Sequence, residues 1–269
     1  MTVPRIAFNN VSVRFLTPSG GQLQVVDQVS YRIHHREFVA VIGPSGCGKT
    51  TMMNMVAGFM QPSSGSVTLD GKPISGPGPN RGVIFQEYGV FPWLTVKDNI
   101  AFGLTLRANR TTAAERDQIC ERYLRLMGLA EFSEAWPRLL SGGMRQRLAL
   151  ARAYAVKPEF LLMDEPFGAL DAQTRSAMQD LLLDVLAAEN KTVLLITHSV
   201  EEAIYLSNRI IVMTARPTRI REIIEVPFPY PRTSSLHESS EFGELRAHVR
   251  DLVMQEYAEQ ARQRAPELG

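Results

Sequence analysis

Apolar and polar residues alternate near the start of the chain. Val11, Val13 and Phe15 alternate with polar residues, and residues 25–33 do much the same after the turn-like sequence at residues 18–21. A period of two is typical of strands with one buried face. The chain is therefore predicted to begin with an antiparallel sheet.

Three later segments are apolar at every position, as strands covered on both faces are. They are residues 38–42, 160–163 and 193–196. The stretch between the last two predicts a helix with one apolar stripe, which includes Leu182 and Val185. A strand, a helix and a second strand in this order are typical of a parallel sheet, so we expect an α/β fold.

The middle of the chain has mainly helical periodicity. We interpret residues 96–156 as a helical subdomain, with breaks at Gly103, at Gly128 and over residues 137–143. A short buried strand is predicted just before this subdomain, at residues 83–85.

The last part of the chain is predicted to contain a connector and a terminal helix. Prolines punctuate residues 217–231, which favours a connector. Apolar residues spaced from Leu245 to Tyr257 predict an amphipathic helix that packs on its own domain, with a partner surface as the alternative. We expect one domain over residues 1–234, which includes the helical subdomain, and a helical tail over residues 235–269.

The composition excludes several classes of protein. Of 269 residues, 45% are hydrophobic and 21% are charged, which is typical of a globular chain. The 29 lysine and arginine residues nearly balance the 28 aspartate and glutamate residues, so no net basic field attracts the whole chain to nucleic acid or anionic lipid. The longest apolar runs fall far short of the roughly 20 residues that a membrane-spanning helix needs. Two cysteines, Cys47 and Cys120, fit a reducing compartment, and the cytoplasm is the expected location.

A glycine-rich loop joins the first continuous apolar strand to the helix that follows, and it fits the pattern GxxxxGK[ST]. Its residues are Gly43, Pro44, Ser45, Gly46, Cys47, Gly48, Lys49 and Thr50, followed by Thr51. In this setting the loop N–H groups and the helix start bind phosphate oxygens, Lys49 adds a charge for the β and γ phosphates, and the Thr50 hydroxyl can ligate Mg²⁺. The alternative is an ordinary strand-to-helix turn with a solvated lysine.

Two carboxylates stand at the end of the second apolar strand. Asp164 and Glu165 occupy this position, and open parallel sheets bind ligands at the carboxyl ends of their strands. We expect Asp164 to hold the Mg²⁺ shell and Glu165 to orient and deprotonate the water that attacks the γ phosphate, although capping of a neighbouring loop is an alternative for Glu165. His198 ends the third apolar strand, from which it can reach the γ phosphate, but a lone histidine is more often structural.

Residues 140–146, Leu-Ser-Gly-Gly-Met-Arg-Gln, complete the set of motifs. Together with the phosphate loop and the Asp164-Glu165 pair they resemble the signature of ATP-binding cassette (ABC) proteins, and the likeness covers nearly the whole chain. The resemblance implies a P-loop NTPase (RecA-like) core with an N-terminal antiparallel β subdomain and an inserted helical subdomain. By position, it makes Gln86 the glutamine-loop residue that senses Mg²⁺ and γ phosphate, Asp171 a residue of the loop after the catalytic carboxylate, and His198 the switch histidine.

Phe15 lies where ABC proteins have an aromatic residue that stacks on adenine. Because it shares a predicted strand face with Val11 and Val13, a plain core position is the alternative.

Three segments resemble one particular group of ABC proteins. Residues 85–96, 163–173 and 215–217 are similar to the importer ATPases of the nitrate, sulfonate and taurine family. Met144 stands where many ABC proteins have glutamine, and Ser199 stands where aspartate is frequent. Neither departure removes a group assigned to phosphate.

The signature implies that two copies act together. Ser141 precedes a predicted helix, so its hydroxyl and the N–H groups of Gly142 and Gly143, with Met144 beside them, form a second anion-binding helix start. A simple helix cap is the alternative. The resemblance places this start over the nucleotide held by a second copy of the chain, which gives two shared sites in a symmetric pair.

The family implies an ATPase that uses ATP and Mg²⁺ to drive solute uptake at the cytoplasmic face of a bacterial inner membrane. Separate transmembrane permease subunits and, indirectly, a solute-binding protein are the expected partners, and no nucleic acid is expected.

Phe91, Trp93 and Leu94 are expected either to dock a permease helix or to be buried in the helical subdomain. A small anion such as nitrate, a sulfonate or taurine is the expected solute. The alternative is a soluble ABC ATPase that acts on DNA or ribosomes, but the segment from Lys49 to Ser141 has no room for the long coiled coil of the repair ATPases.

Overall fold

A computed structural model of the chain describes residues 3–18, 20–86, 89–109, 111–189 and 191–264. Ser19 of the predicted first turn lies outside the described residues, as do Glu87 and Tyr88 of the segment that resembles the nitrate, sulfonate and taurine importers. The described strands are β1 (Ile6–Leu16), β2 (Gln22–Ile33), β3 (Phe38–Ile42), β4 (Ser64–Leu69), β5 (Lys72–Pro73), β6 (Arg81–Ile84), β7 (Phe160–Asp164), β8 (Thr192–Ile196), β9 (Arg209–Met213) and β10 (Ile220–Glu225). The described α-helices are α1 (Lys49–Ala57), α2 (Val96–Thr105), α3 (Ala113–Leu126), α4 (Gly142–Ala155), α5 (Ala172–Glu189), α6 (Val200–Leu206) and α7 (Ser240–Arg264).

The chain divides into two compact units. The first unit comprises Met1–Pro77 together with Leu186–Gly269, and the second comprises Gly78–Val185. Strands β1 to β5 and β8 to β10 belong to the first unit with α1, α6 and α7, whereas β6, β7 and α2 to α4 belong to the second. Among the described residues, no helix combines the length and the apolar character that crossing a membrane requires.

The first unit contains the predicted antiparallel sheet, with the strand order β2-β1-β4-β5. The pairing of β1 with β2 shifts its register between Val13 and Arg14. Burial along β1 does not alternate here: Val11, Ser12 and Val13 are all buried, whereas Phe15 is 43% exposed. The core position considered for Phe15 is therefore wrong, because its side chain is exposed.

A second sheet of the first unit is built on β3. This strand pairs in parallel with β8 on one side and β9 on the other, and β10 pairs antiparallel with β9. Every residue of β3 and of β8 is buried, as the continuous apolar pattern predicts. The glycine loop therefore begins at the end of a strand that is fixed by neighbours on both sides.

Residues 217–231 are more regular than predicted. Residues 220–225 form β10, in which Ile220 lies opposite Met213 and Ile224 lies opposite Ile210. The prediction of a connector missed this strand, because the prolines on either side obscured a short strand at the edge of the sheet.

The terminal helix α7 packs on its own unit. Val249, Leu252 and Val253 are buried, and the helix contacts α6 and β9. This is the packing that the apolar stripe predicts. Self-packing was thus the correct interpretation of the stripe.

In the second unit, the parallel strands β6 and β7 accompany three helices. Thr95 caps the start of α2 with its side chain, and Thr112 begins α3 with a capping box that includes Glu115. Helix α4 packs against α2 and β6. The strand predicted at residues 83–85 ends at Ile84, so Phe85 lies beyond it and is 43% exposed.

Candidate functional site

The glycine loop lies between the end of β3 and the start of α1. Gly46 has φ 73° and Gly48 has φ 124°, and L-residues rarely adopt either conformation. A Cβ at Gly43 would lie 2.8 Å from the carbonyl oxygen of Met213, and one at Gly48 would lie 2.9 Å from Cγ1 of Val25. The curled path of the loop therefore needs glycine for conformation at Gly46 and for both conformation and space at Gly48.

Lys49 is the first residue of α1, and its side chain folds back across the loop. The Nζ atom donates to the carbonyl oxygens of Gly43 at 2.8 Å and Pro44 at 2.9 Å, and the residue is 7% exposed. A lysine ammonium carries three donors, so these two bonds fix its position and leave one donor to face a ligand. Thr50 is exposed on the first turn of α1, and Thr51 beside it is half-buried.

Cys47 is fully buried within the loop. Burial raises the pKa of its thiol, and the nearby Lys49 ammonium only partly offsets this effect. The thiol is therefore protonated at neutral pH. Its backbone carbonyl accepts a hydrogen bond from the Thr218 hydroxyl, and its N–H donates to the carbonyl of Pro44 at 3.3 Å.

Asp164 and Glu165 stand where β7 ends, as predicted. Glu165 has φ 45°, which is uncommon for a residue other than glycine and is a form of strain that concentrates at functional sites. Its carboxylate oxygen Oε2 accepts a hydrogen bond of 3.3 Å from Nε2 of Gln86. The structure thus brings together two of the predicted catalytic residues within the second unit.

The signature begins helix α4. Ser141 is the N-cap, and its hydroxyl oxygen accepts from the N–H of Met144 at 3.3 Å. A Cβ at Gly143 would lie 2.6 Å from Cγ2 of Thr174, near the start of α5. The signature helix and α5 therefore meet at a point where only glycine fits.

Asp171 holds the start of α5. Its carboxylate oxygen Oδ1 accepts from the N–H of Thr174 at 2.9 Å, and this hydrogen bond lowers the pKa of Asp171. The loop predicted to follow the catalytic carboxylate thus lies next to the signature through one residue, Thr174.

His198 is the second residue after β8 and is exposed. Two local hydrogen bonds fix the turn that carries it. The N–H of Ser199 donates to Oγ1 of Thr197 at 3.0 Å, and the N–H of Glu202 donates to Oγ of Ser199 at 3.2 Å. Ser199 therefore acts as the N-cap of α6. Serine can do this as aspartate does, which accounts for the departure from the frequent residue.

Three residues that the motifs did not identify touch this machinery. Thr218 and Gln260 hold loop carbonyls, and Thr174 contacts both the signature and Asp171. No local pattern marks them, because their partners are far away in the sequence or reach them only through the packing of two helices.

Comparison with known proteins shows which family the chain belongs to. A family model described as ABC transporter matches residues 26–168. The nitrate import ATP-binding protein NrtD of Synechococcus elongatus is 42% identical over 253 residues, which cover 93% of this chain and 92% of the relative. The taurine import ATP-binding protein TauB of Roseobacter denitrificans is 44% identical over 252 residues, which cover 92% of this chain and 93% of the relative.

The solved structures that resemble this chain include an ABC transporter cassette. The ABC transporter cassette MJ0796, described as a dimeric structure, has a TM-score of 0.73 at 28% identity and covers 83% of this chain and 100% of its own. A post-hydrolysis state of the same cassette, bound to ADP and Pi, has a TM-score of 0.72 at 28% identity and the same coverage. The predicted α/β P-loop NTPase fold is confirmed. The chain belongs to the ABC transporter family, as an ATP-binding and ATP-hydrolysing subunit of the importer type that its sequence resembles.

Proposed function

We propose that two copies of this chain enclose two ATP molecules and drive the uptake of a small anion through separate permease subunits. The observation that carries the proposal is the glycine loop, in which Lys49 is locked over the loop carbonyls at the start of α1. The nitrate and taurine import relatives support the transport role, and the dimeric MJ0796 cassette supports the pairing.

Each copy binds the triphosphate with residues 43–51. The N–H groups of Gly46 and Gly48 and the start of α1 bind phosphate oxygens. Lys49 directs its remaining donor to the β and γ phosphates. Phe15, exposed on β1, stacks on the adenine ring.

Thr50, Gln86 and Asp164 are the proposed Mg²⁺ ligands. Mg²⁺ takes oxygen ligands and keeps several waters, so one hydroxyl, one amide oxygen and one carboxylate are a suitable set. The hydrogen bonding of Gln86 agrees with this assignment. Its Nε2 atom donates to Glu165, so its amide oxygen can face the cation. The bound ion would neutralise charge on the β and γ phosphates.

Glu165 is the proposed general base. Its carboxylate accepts the proton of the attacking water, while Gln86 keeps it oriented through the 3.3 Å hydrogen bond. His198, presented by the capped turn after β8, contacts the γ phosphate. Asp171 positions the start of α5 beside the signature.

The signature of the second copy completes each site. Because the Ser141 oxygen already accepts from the Met144 N–H, its hydroxyl hydrogen can donate to a γ-phosphate oxygen of the other copy. The N–H groups of Gly142 and Gly143 at the helix start add to this site. ATP binding then closes the pair of copies, because each triphosphate bridges them. Hydrolysis replaces this bridging anion with two separate products, and the pair opens.

An apolar surface on the second unit is the proposed docking site for a permease helix. Trp93 is 67% exposed and stacks on Phe91 at 5.3 Å, and Phe102 packs edge-on to Phe91 at 4.6 Å. The Arg152 guanidinium lies 3.9 Å from the Phe91 ring centroid. It lies beside a cavity of about 380 Å³ that is lined by Phe91, Phe102 and Phe85. An exposed aromatic surface next to a cavity suits an amphipathic helix.

The proposed location is the cytoplasmic face of the bacterial inner membrane, where the chain is a peripheral subunit. A solute-binding protein would supply nitrate, a sulfonate, taurine or a related anion to the permease. The test is uptake of labelled taurine or nitrate into vesicles that contain the permease and this subunit, with ATP inside and the solute-binding protein outside.

Lys49→Met should abolish ATP-dependent uptake and weaken ATP binding in calorimetry, because a charge-assisted contact to phosphate is lost. Lys72→Met, an exposed lysine on β5, is the matched control and should change neither. ATP binding that survives Lys49→Met unchanged would contradict the proposed phosphate site, whereas binding without uptake of either solute would contradict only the proposed solute.

A further inference from the structure

Two side chains from the last quarter of the chain hold carbonyl oxygens of the glycine loop. Nε2 of Gln260, on α7, donates to the Ser45 carbonyl at 3.0 Å. The Thr218 hydroxyl, just before β10, donates to the Cys47 carbonyl. Thr218 is fully buried and Gln260 is 9% exposed. Buried polar groups are retained mainly where they satisfy a specific partner, and here both partners belong to the loop.

These bonds fix the direction of two N–H groups. In a trans peptide unit the C=O and N–H bonds point in opposite directions, and the peptide bonds of the loop are trans. A Ser45 carbonyl held toward Gln260 therefore turns the N–H of Gly46 to the opposite side. A Cys47 carbonyl held toward Thr218 does the same for the N–H of Gly48.

The other carbonyls of the loop are held differently. Those of Gly43 and Pro44 accept from Nζ of Lys49, and the Pro44 carbonyl also accepts from the Cys47 N–H. Lys49 thus holds the first half of the loop, while Gln260 and Thr218 hold the second half. The second half contains Gly46 and Gly48, whose unusual φ values permit other peptide orientations unless something selects one.

The position of Gln260 is itself set by a second contact of α7. One turn earlier on this helix, Glu256 is 7% exposed, accepts from the Ala215 N–H at 3.0 Å and pairs with Arg221 at 3.7 Å. Ala215 follows β9, whose last residue, Met213, lies against Gly43. The end of α7 is therefore attached to the loop directly and to the strand that supports it.

We infer that Gln260 and Thr218 are positioning residues for ATP binding, and that the last turns of α7 orient the Gly46 and Gly48 N–H groups toward phosphate. This inference rests on the proposed phosphate site. Because such coupling is reciprocal, ATP binding must in turn stabilise the contact between α7 and the loop.

The experiment compares three variants with the unchanged protein. Gln260→Met keeps the length and straight chain but removes the donor, Gln260→Lys restores a donor, and Gln263→Met is the control, since Gln263 on the same helix bonds only to Glu259 among the described contacts. Each is measured for ATP affinity by calorimetry, for KM and kcat, for unfolding temperature, and for protease protection of α7 by ATP.

Gln260→Met should weaken ATP binding and raise KM by about two- to tenfold, the range for loss of one hydrogen bond, with kcat nearly unchanged and less protection of α7. Gln260→Lys should recover most of the affinity, and the control should match the unchanged protein. If Gln260→Met binds ATP as tightly as the control does, or if Gln260→Lys is as weak as Gln260→Met, the positioning role is wrong. A failure of the unchanged protein to bind ATP would instead overturn the proposed site itself.

Discussion

The amide nitrogen of Gln86 lies 3.3 Å from the carboxylate oxygen Oε2 of Glu165. The hydrogen bond joins the second residue after β6 to the first residue after β7, the two parallel strands of the second unit. The side chain proposed to sense Mg²⁺ and γ phosphate is therefore in direct contact with the proposed base. A movement of Gln86 would change the orientation of the group that activates water.

Glu165→Gln should slow ATP hydrolysis by at least about a hundredfold, because the general base is lost. ATP affinity should stay near that of the unchanged protein, since the loop and Lys49 are untouched. Steady-state phosphate release and calorimetry measure the two quantities. Asp184→Asn, an exposed carboxylate on α5, is a matched control, and hydrolysis at a normal rate in Glu165→Gln would refute the role of the base.

Gly143→Ala should disturb the signature, because the new Cβ would lie 2.6 Å from Cγ2 of Thr174. Overpacking of this kind costs about 1–3 kcal/mol of unfolding free energy, and ATP-dependent pairing should weaken with it. Adding Thr174→Ser removes the clashing methyl group and should restore most of the lost stability. Chemical denaturation of the single and double variants tests this, and equal stability in both would show that the contact is not the cause.

Cys47 should react slowly with iodoacetamide at neutral pH. Burial raises the pKa of this thiol, so the reactive thiolate is scarce at pH 7, and each unit of pKa increase lowers the thiolate fraction about tenfold. The labelling rate should keep rising with pH above 9, where an ordinary thiol levels off. Mass spectrometry of the peptide that contains Cys47 gives the rate, and labelling as fast as that of an exposed cysteine peptide would contradict the burial.

Trp93→Ala should separate transport from hydrolysis. Trp93 is 67% exposed, so its removal should change the unfolding free energy by no more than about 0.5 kcal/mol. The ATPase activity of the isolated subunit should also persist, while uptake in vesicles with the permease should fall. Leu139→Ala, at a residue 68% exposed in the same unit, is the control, and uptake that is unchanged in Trp93→Ala would remove this residue from the docking surface.

Much of the fold could be predicted because its signals are local. The continuous apolar segments became β3, β7 and β8, and the loop pattern lies between β3 and α1 as expected. β10 was missed because its residues mix isoleucine with charge, and its existence depends on pairing with β9. Phe15 could not be placed from alternation alone, since Ser12 is buried between Val11 and Val13 whereas Phe15 is exposed.

Some residues of the candidate site could be predicted from local motifs, and others could not. Lys49, Glu165 and Ser141 are marked by motifs whose chemistry requires fixed spacing. Gln260 and Thr218 are not, because the loop carbonyls that they bind are 215 and 171 residues away in the sequence. Only the folded chain brings these groups together.

The most direct measurement is the molecular mass in solution of the Glu165→Gln variant saturated with Mg-ATP, determined by light scattering after size-exclusion chromatography. We expect a dimer with ATP that becomes monomeric when the nucleotide is removed, because residues 141–143 of each copy are proposed to bind the nucleotide of the other. A variant that binds ATP tightly and yet stays monomeric, both alone and together with its permease, would contradict the proposed sharing of ATP between two copies.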